Sequence, residues 1–308
     1  MSFHHIPVLL EEAISALDIK PQGVYVDGTA GGGGHSLEIA KRLTGGRLIC
    51  IDKDPHAVAT VTNRLKDYPR AQAAQGDFAD LTDILDNLGI TTVDGILLDL
   101  GVSSHQIDTP ERGFSYHADA PLDMRMSDSG RDAAMLLAQA SARELTEIFR
   151  RYGEEKFASR IAQNIVDERE RAPILTTARL VDIIRASIPA AARREGGHPA
   201  KRVFQALRIA VNGELDSLRA CLDTALSRLN PGGRLVIITF HSLEDRMVKQ
   251  AFASYATTCR CPADFPICVC TEKAIGRLIG KKAQTASPDE LNANPRAKSA
   301  KLRVIEKI

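Results

Sequence analysis

The chain has 308 residues, of which 44% are hydrophobic and 26% are charged, and its formal net charge is +1. This length suits one large domain or two of ordinary size. No apolar run approaches the roughly 20 residues that a membrane span requires, and the N-terminus lacks the basic start and apolar stretch of a secretory signal. We therefore expect a cytoplasmic protein without a membrane partner, in which any nucleic-acid contacts come from local clusters of charge.

The first clear unit is Val24–Ser36, where a β-branched strand ends at Asp27 and a run of glycines leads into a helical pattern. Strand, glycine turn and helix open a doubly wound α/β domain, which binds ligands at the carboxyl ends of its strands. The turn lacks the third glycine of the dinucleotide fingerprint and the Lys-Ser/Thr of a P-loop. It is more similar to the first motif of S-adenosylmethionine (SAM) methyltransferases, with a flexible loop as the alternative.

The following strands also end in acids. Asp52 follows the second strand, where such an acid commonly accepts hydrogen bonds from ribose hydroxyls, and Asp54 is expected to cap the next helix. A third strand precedes Asp77 and Phe78, an acid and an aromatic ring that suit an adenine. A fourth strand is predicted over Val93–Asp99. It ends at Asp99 in the centre of the sheet, where the reactive methyl group is expected. The alternatives are a solvated acid for Asp52 and core packing for Phe78.

Residues 110–126 read as a long ordered loop, and residues 132–200 show helical periodicity and no strand pattern. The sequence therefore predicts an α/β fold in which a Rossmann-like SAM methyltransferase sheet, formed by 1–109 and 203–308, carries an all-helical inserted domain at 110–202. The end of the insertion is basic, which indicates contacts with phosphates or simply a solvated surface. Five basic residues there stand against Glu195 alone: Arg193, Arg194, Lys201, Arg202 and Arg208.

The sheet pattern then resumes. We predict one long helix over 203–229, a fifth strand over 234–239, and a final antiparallel edge strand over 301–308. Phe240 and His241 follow the fifth strand and should face the same cleft as Asp99.

Six cysteines are present. Cys50 and Cys221 read as small core residues. The other four form two Cys-x-Cys pairs, Cys259 with Cys261 and Cys268 with Cys270. Reduced thiols, zinc ligands and disulfides remain open for these four, although strong zinc sites use Cys-x-x-Cys pairs; no metal site is assigned.

Several long motifs are together similar to the bacterial methyltransferase family called RsmH or MraW, over nearly the whole chain. They are Asp27–Ser36, Asp99–Ser104, Arg112–Ser115, Pro121–Met126, Tyr152–Glu155, Phe240–Arg246 and Asn294–Ala297. This resemblance implies N4-methylation of a cytidine in the decoding region of small-subunit ribosomal RNA, with SAM as cofactor. It also implies cofactor contacts by Gly33, Gly34, His35, Asp52, Phe78, Asp99 and Gln106.

A cytosine amine is a poor nucleophile because its lone pair is delocalised into the ring. The enzyme must align the nitrogen with the methyl group and accept its proton, and Asp99 is our candidate acceptor. Phe114, Tyr116 or Phe240 could stack on the base, with core packing as the alternative for each. His241, Arg193, Arg194, Lys201 and Arg202 complete the substrate candidates.

Three other functions remain open. A nicotinamide-dependent dehydrogenase is disfavoured by the missing fingerprint glycine, and a DNA cytosine methyltransferase by the absence of Pro-Pro-aromatic after the fourth strand. A SAM-binding protein without catalytic activity, or a ribosome-assembly factor, is the third.

Overall fold

The computed structural model describes residues 7–194, 197–257 and 273–308. The chain forms two compact units, one of residues 1–101 and 216–308 and one of residues 102–215. The first is an α/β unit, and the second contains only helices and turns among its described residues, apart from one isolated bridge between Pro121 and Thr176. The helical unit is longer at both ends than the predicted segment 110–202.

The α/β unit is built on one sheet of seven strands in the order β3-β2-β1-β4-β5-β7-β6. Strands β1 to β5 are parallel, and β7 is antiparallel to both β5 and β6. The strands are β1 (Val24–Asp27), β2 (Arg47–Asp52), β3 (Ala71–Gln75), β4 (Val93–Asp99), β5 (Leu229–Thr239), β6 (Gly276–Gln284) and β7 (Lys301–Lys307).

The first four predicted strands are confirmed. Strands β1, β2 and β4 are largely buried and end at an acid, whereas the weaker β3 is only partly buried. Asp27, Asp52 and Asp99 are the last residues of β1, β2 and β4. Strand β1 pairs with both β2 and β4, so the three acids end three adjacent parallel strands at the same edge of the sheet.

The C-terminal strand was predicted to be an antiparallel edge strand; its direction is right and its edge position is wrong. Strand β6 pairs with the outer side of β7 and is itself the last strand of the sheet. Most residues of β6 are exposed, and Lys281 and Lys282 lie on it, so it lacks the apolar alternation that marks a half-buried strand. Exposed lysines are typical of an edge strand, since they discourage pairing with another chain.

The helices of the whole chain are α1 (Leu10–Leu17), α2 (Gly34–Arg42), α3 (Pro55–Arg64), α4 (Leu81–Asn87), α5 (Ser104–Asp108), α6 (Ala133–Gln139), α7 (Ala142–Gly153), α8 (Ala158–Arg169), α9 (Thr177–Ser187), α10 (Ala190–Arg194), α11 (Lys201–Asn212), α12 (Glu214–Ala225), α13 (Ser242–Ala256) and α14 (Pro288–Ala293). None of these described helices combines the length and the apolar content of a membrane span.

The prediction of one long helix over 203–229 is wrong, because two helices, α11 and α12, occupy this stretch. Gly213 lies between α11 and α12 with a φ of +62°, and its N–H donates to the carbonyl of Ile209. Glycine takes this left-handed conformation without the steric cost that a Cβ brings. The apolar periodicity continues through the break, which is why the pattern reads as one helix.

Each face of the sheet has its own core. Leu48 and Cys50 of β2 pack in one cluster, while Ile49 and Ile51 pack in the other, as the alternation of side chains along a strand requires. Cys50 and Cys221 are both buried, which confirms their prediction as core residues. The other four cysteines lie outside the described residues.

The helical unit has a separate apolar core. Amphipathic α7 contributes Leu145 and Phe149, both fully buried. Ser141 and Glu144 form a capping box at the start of this helix, which satisfies N–H groups that a helix terminus leaves without partners. The unit therefore has the core and the caps of an independent helical domain.

Candidate cofactor and catalytic site

The glycine turn after β1 is held against the two neighbouring strands. The N–H of Gly28 donates to the carbonyl of Leu97 in β4 at 2.9 Å, and the N–H of Ala30 donates to that of Ile51 in β2 at 3.0 Å. Gly33 ends the turn with a φ of +73°, a conformation that favours glycine. Gly34 and His35 then form the first turn of α2, whose backbone N–H groups have no acceptor within the helix.

Asp52 joins this turn to the end of β2. Its Oδ2 accepts from the N–H of Gly31 at 2.8 Å, and its Oδ1 accepts from the N–H of Asp54 at 2.9 Å. Burial raises the pKa of Asp52 above its usual value. Each carboxylate oxygen has a second lone pair, so Asp52 has capacity for further hydrogen bonds.

Asp54 caps α3, as predicted, by accepting from the N–H of His56 at 3.0 Å. At the end of β3, the carboxylate of Asp77 accepts from the N–H of Ala79 at 3.0 Å and from the hydroxyl of Ser217 at 2.6 Å. It also lies 2.7 Å from the Nζ of Lys53. Protein groups therefore already engage the acid expected near adenine. Phe78, beside it, is half-buried against the core.

Asp99 is the least satisfied acid of the site. Its Oδ1 is buried and has no hydrogen-bond partner among the described residues, whereas its side chain as a whole is 20% exposed. Its backbone N–H donates to the hydroxyl of Thr29 at 2.6 Å. Burial raises the pKa of Asp99 well above its usual value, and the negative charges of Asp27 and Glu244 raise it further.

His35 faces Asp99 across the turn. Its Nδ1 lies 3.7 Å from the Oδ2 of Asp99, and its Nε2 lies 3.2 Å from the carbonyl oxygen of Val8. A carbonyl oxygen can only accept, so this contact assigns a hydrogen to Nε2. The predicted cofactor residue His35 thus has its ring inside the site as well as its backbone.

The predicted residues after β5 form a helix cap. The Glu244 Oε2 accepts from the N–H groups of Phe240 and His241, at 2.8 and 3.2 Å. His241 begins α13 by accepting from the N–H of Glu244 at its Nδ1, at 3.4 Å. The ring of Phe240 lies beside Gly101, just after β4. Glu244 was missed as a site residue, although its position three residues after His241 is the spacing of a capping box.

Comparison with known proteins identifies the family. The model of the MraW methylase family matches residues 2–308. The chain belongs to this family. Two similar proteins are each named ribosomal RNA small subunit methyltransferase H, with the whole of this chain covered in both cases. That of Heliobacterium modesticaldum is 54% identical over its full length, and that of Symbiobacterium thermophilum is 53% identical over 98% of its length.

Solved structures of low sequence identity are also similar. A putative rRNA methylase from Clostridium thermocellum has a TM-score of 0.47 at 12% identity, covering 99% of this chain and all of that one.

SAM is the methyl donor of this methylase, and the site fits it. The first turn of α2 offers N–H groups to a carboxylate, and Asp52 has acceptor capacity for hydroxyls. The carboxyl of Asp99, whose buried Oδ1 has no partner in the part of the chain that the structure describes, suits a ligand that carries positive charge.

The helical unit of the methylase holds the other predicted residues. Gln106 is buried and completes the capping box of α5, because its Oε1 accepts from the N–H of Ser103 at 3.0 Å. Phe114 packs against the core of the helical unit, with the guanidinium of Arg112 6.0 Å from its ring centre. Gln106 and Phe114 therefore have structural contacts of their own.

Tyr116 stacks on His198, with ring centres 4.4 Å apart and planes 10° apart. The exposed ring of His117 lies 5.5 Å from that of His198. The Arg185 guanidinium, 3.3 Å from the Nε2 of His198, belongs to the same group. Burial lowers the pKa of His198, and the charges of Arg185 and His117 lower it further. Sequence reasoning missed His198, whose only signal was its position next to a basic stretch.

The basic residues of the helical unit differ in their surroundings. Arg193, Lys201 and Arg202 are exposed, and the side chain of Arg194 lies outside the described part. Arg208 pairs with Glu214 through two hydrogen bonds of 2.8 and 2.9 Å, so its charge is balanced within the unit.

Proposed function

We propose that the protein transfers a methyl group from SAM to the exocyclic N4 amine of a cytidine in small-subunit ribosomal RNA. Methylation of small-subunit ribosomal RNA is supported by relatives of that name that share more than half of its residues over its full length. The N4 position, and a cytidine in the decoding region of a folded subunit, are what the motif resemblance implies.

In this proposal the cofactor binds the α/β unit at the carboxyl ends of its parallel strands. Bound SAM supplies an electrophilic methyl group on a positively charged sulfur. Gly33, Gly34 and His35 bind its methionine part at the start of α2, where the helix dipole favours a carboxylate. Asp52 accepts from the ribose hydroxyls. We assign Phe78 to the adenine and Asp99 to the reacting end.

The single observation that carries the chemical proposal is the carboxyl of Asp99. The amine nitrogen loses a proton when it gains a methyl group, so a nearby acceptor is needed. Asp99 ends the central strand, reaches solvent with a fifth of its side chain, and has a raised pKa. A carboxylate with a raised pKa is a stronger base than an ordinary one. We assign the proton to its Oδ2.

Phe240 is the base-stacking candidate on the α/β unit, because its ring lies beside Gly101, two residues after the end of β4. Glu244 fixes the backbone of Phe240 and His241 together, so both side chains are pre-positioned. In the helical unit, Phe114 and Tyr116 are the further candidates for contact with the base. Phosphate contacts are assigned to Arg193, Arg194, Lys201 and Arg202, because such contacts position RNA without reading its sequence.

The test is methyl transfer from isotopically labelled SAM to purified small subunits that lack the modification, followed by nucleoside analysis. We expect labelled N4-methylcytidine from intact subunits. Label on carbon 5 of cytosine or on a ribose hydroxyl would contradict the N4 assignment. SAM binding without any transfer would instead favour a binding protein or an assembly factor.

A further inference from the structure

The carboxyl of Asp99 lies in an acidic part of the α/β unit. Asp27, at the end of β1, is 1% exposed, and Glu244, on α13, is 2% exposed. The negative charges of both act on Asp99. The ring of His35, on α2, also faces it.

These acids differ in the donors that they receive. The Oδ2 of Asp27 accepts from the hydroxyl of Ser36 at 2.5 Å, and its Oδ1 from the N–H of Thr29 at 3.3 Å. Glu244 accepts from two backbone N–H groups. Asp99 has one buried oxygen without a donor among the described residues. A buried charge without hydrogen bonds is costly, so Asp99 is the acid for which ionisation in the cofactor-free protein is least favourable.

We propose that Asp99 carries a proton on its Oδ2 in the cofactor-free protein and releases it when a positively charged cofactor binds. The proton faces the Nδ1 of His35, the ring nitrogen opposite the one that contacts Val8. A sulfonium nearby makes the ionised carboxyl favourable, whereas the neutral thioether product does not. The site therefore distinguishes SAM from S-adenosylhomocysteine by charge. This inference rests on the proposed function.

The same exchange fits the transfer step. The amine nitrogen bonds to the methyl carbon while the carbon–sulfur bond breaks. The electron pair of the broken bond goes to sulfur. The proton of the nitrogen passes to the Oδ2 of Asp99. A positive sulfur and a negative carboxylate are thus replaced by a neutral thioether and a neutral acid, and the product cofactor loses the attraction that held the substrate cofactor.

Calorimetric titration in two buffers of different ionisation enthalpy counts the protons released on binding. We expect SAM to release up to about one proton more than S-adenosylhomocysteine. At about pH 6 the methionine amine is protonated and the carboxylate ionised in both ligands, so neither contributes to the difference there. The ratio of the two affinities should then rise with pH, by up to about tenfold per unit. An analogue with a protonated amine in place of the sulfonium should behave like SAM.

Two variants locate the proton. Asp99→Asn should bind both ligands and remove the difference in proton release, whereas Asp27→Asn should keep it. Equal proton counts for the two ligands in the unsubstituted protein would overturn the proposal, and so would a difference that survives Asp99→Asn or is lost only in His35→Gln. Failure to bind either ligand would instead refute the proposed function.

Discussion

The Oδ2 of Asp52 accepts a hydrogen bond of 2.8 Å from the N–H of Gly31, so the acid at the end of β2 supports the glycine turn at the end of β1. Asp52 therefore has two tasks in our proposal, to hold the turn and to accept from the ribose. A substitution that preserves its shape is needed to separate these tasks.

We predict that Asp52→Asn weakens SAM binding roughly 10- to 150-fold, since a lost charged acceptor costs about 1.5–3 kcal/mol. Calorimetric titration measures this loss. The matched control is Asp86→Asn, which removes an acid that pairs with Arg228 and should leave affinity unchanged.

The contact with ribose is tested by an analogue of S-adenosylhomocysteine that lacks the 2′-hydroxyl. Loss of the 2′-hydroxyl should weaken binding to the unsubstituted protein more than it weakens binding to Asp52→Asn, because the two changes remove the same contact. Strictly additive losses would assign Asp52 to the turn alone.

The second prediction is that Asp99→Asn lowers the single-turnover rate by about 100-fold or more, the range typical of general base catalysis. SAM affinity should change much less. The carboxylate of Asp99 attracts the sulfonium, but the unsubstituted protein must first release the proton of Asp99, and this cost offsets part of the attraction. Rapid-quench measurement at saturating SAM and subunit separates the two quantities. A normal rate at saturation, combined with weak SAM binding, would make Asp99 only a cofactor ligand.

The third prediction concerns stability and pH. Burial raises the pKa of Asp27 to about 6, from about 3.9 in an unfolded chain. The folded protein thus holds this proton more tightly, so the stabilisation is complete below about pH 4 and is lost as the pH rises through about 6. The loss is about 3 kcal/mol.

In Asp27→Asn this contribution is absent at every pH. The stability of the unsubstituted protein relative to this variant should therefore fall between about pH 4 and pH 7 and then level off. Urea unfolding of both proteins over this range measures the difference. Parallel curves would show that Asp27 keeps an ordinary pKa.

The sequence predicted what depends on local pattern. Strand β4 was predicted from Val93 to Asp99 and has those ends, because Val93 and the apolar run 96–98, followed by an acid, are typical of a buried parallel strand. The positions of Asp27, Asp52 and Asp99 on one edge followed from the topology of such a sheet. Exposed β6 was missed because its residues alternate too weakly.

Contacts between residues far apart in the chain were not predictable in this way. The carbonyl of Val8, which orients His35, and the stacking of Tyr116 on His198 both depend on tertiary packing. The Oδ1 of Asp99 receives no donor from residues 7–194, 197–257 or 273–308, and this too has no counterpart in a sequence pattern. The sequence therefore located the candidate acids but could not rank their protonation.

The last prediction concerns the basic stretch of the helical unit. Each phosphate contact releases bound counterions, so its removal lowers the salt dependence of binding by about one unit of slope. Replacing Arg193, Arg194, Lys201 and Arg202 by Ser should weaken binding to small subunits and flatten its salt dependence, with SAM affinity unchanged. Filter binding across a salt titration measures both effects.

A control with the same loss of charge is available within the helical unit. Arg143, Lys156, Arg160 and Arg171 are also exposed, and Arg143 and Arg171 already pair with Glu147 and Glu168. Their replacement by Ser changes the net charge equally, so a general effect of charge would appear in both variants. If the two variants bind subunits alike at every salt concentration, the stretch from Arg193 to Arg202 is a solvated surface and the docking site lies elsewhere. If the phosphate contacts are specific, the first variant should lose more affinity for small subunits than the control. This difference should be confined to low salt, because screening weakens the contacts as salt rises.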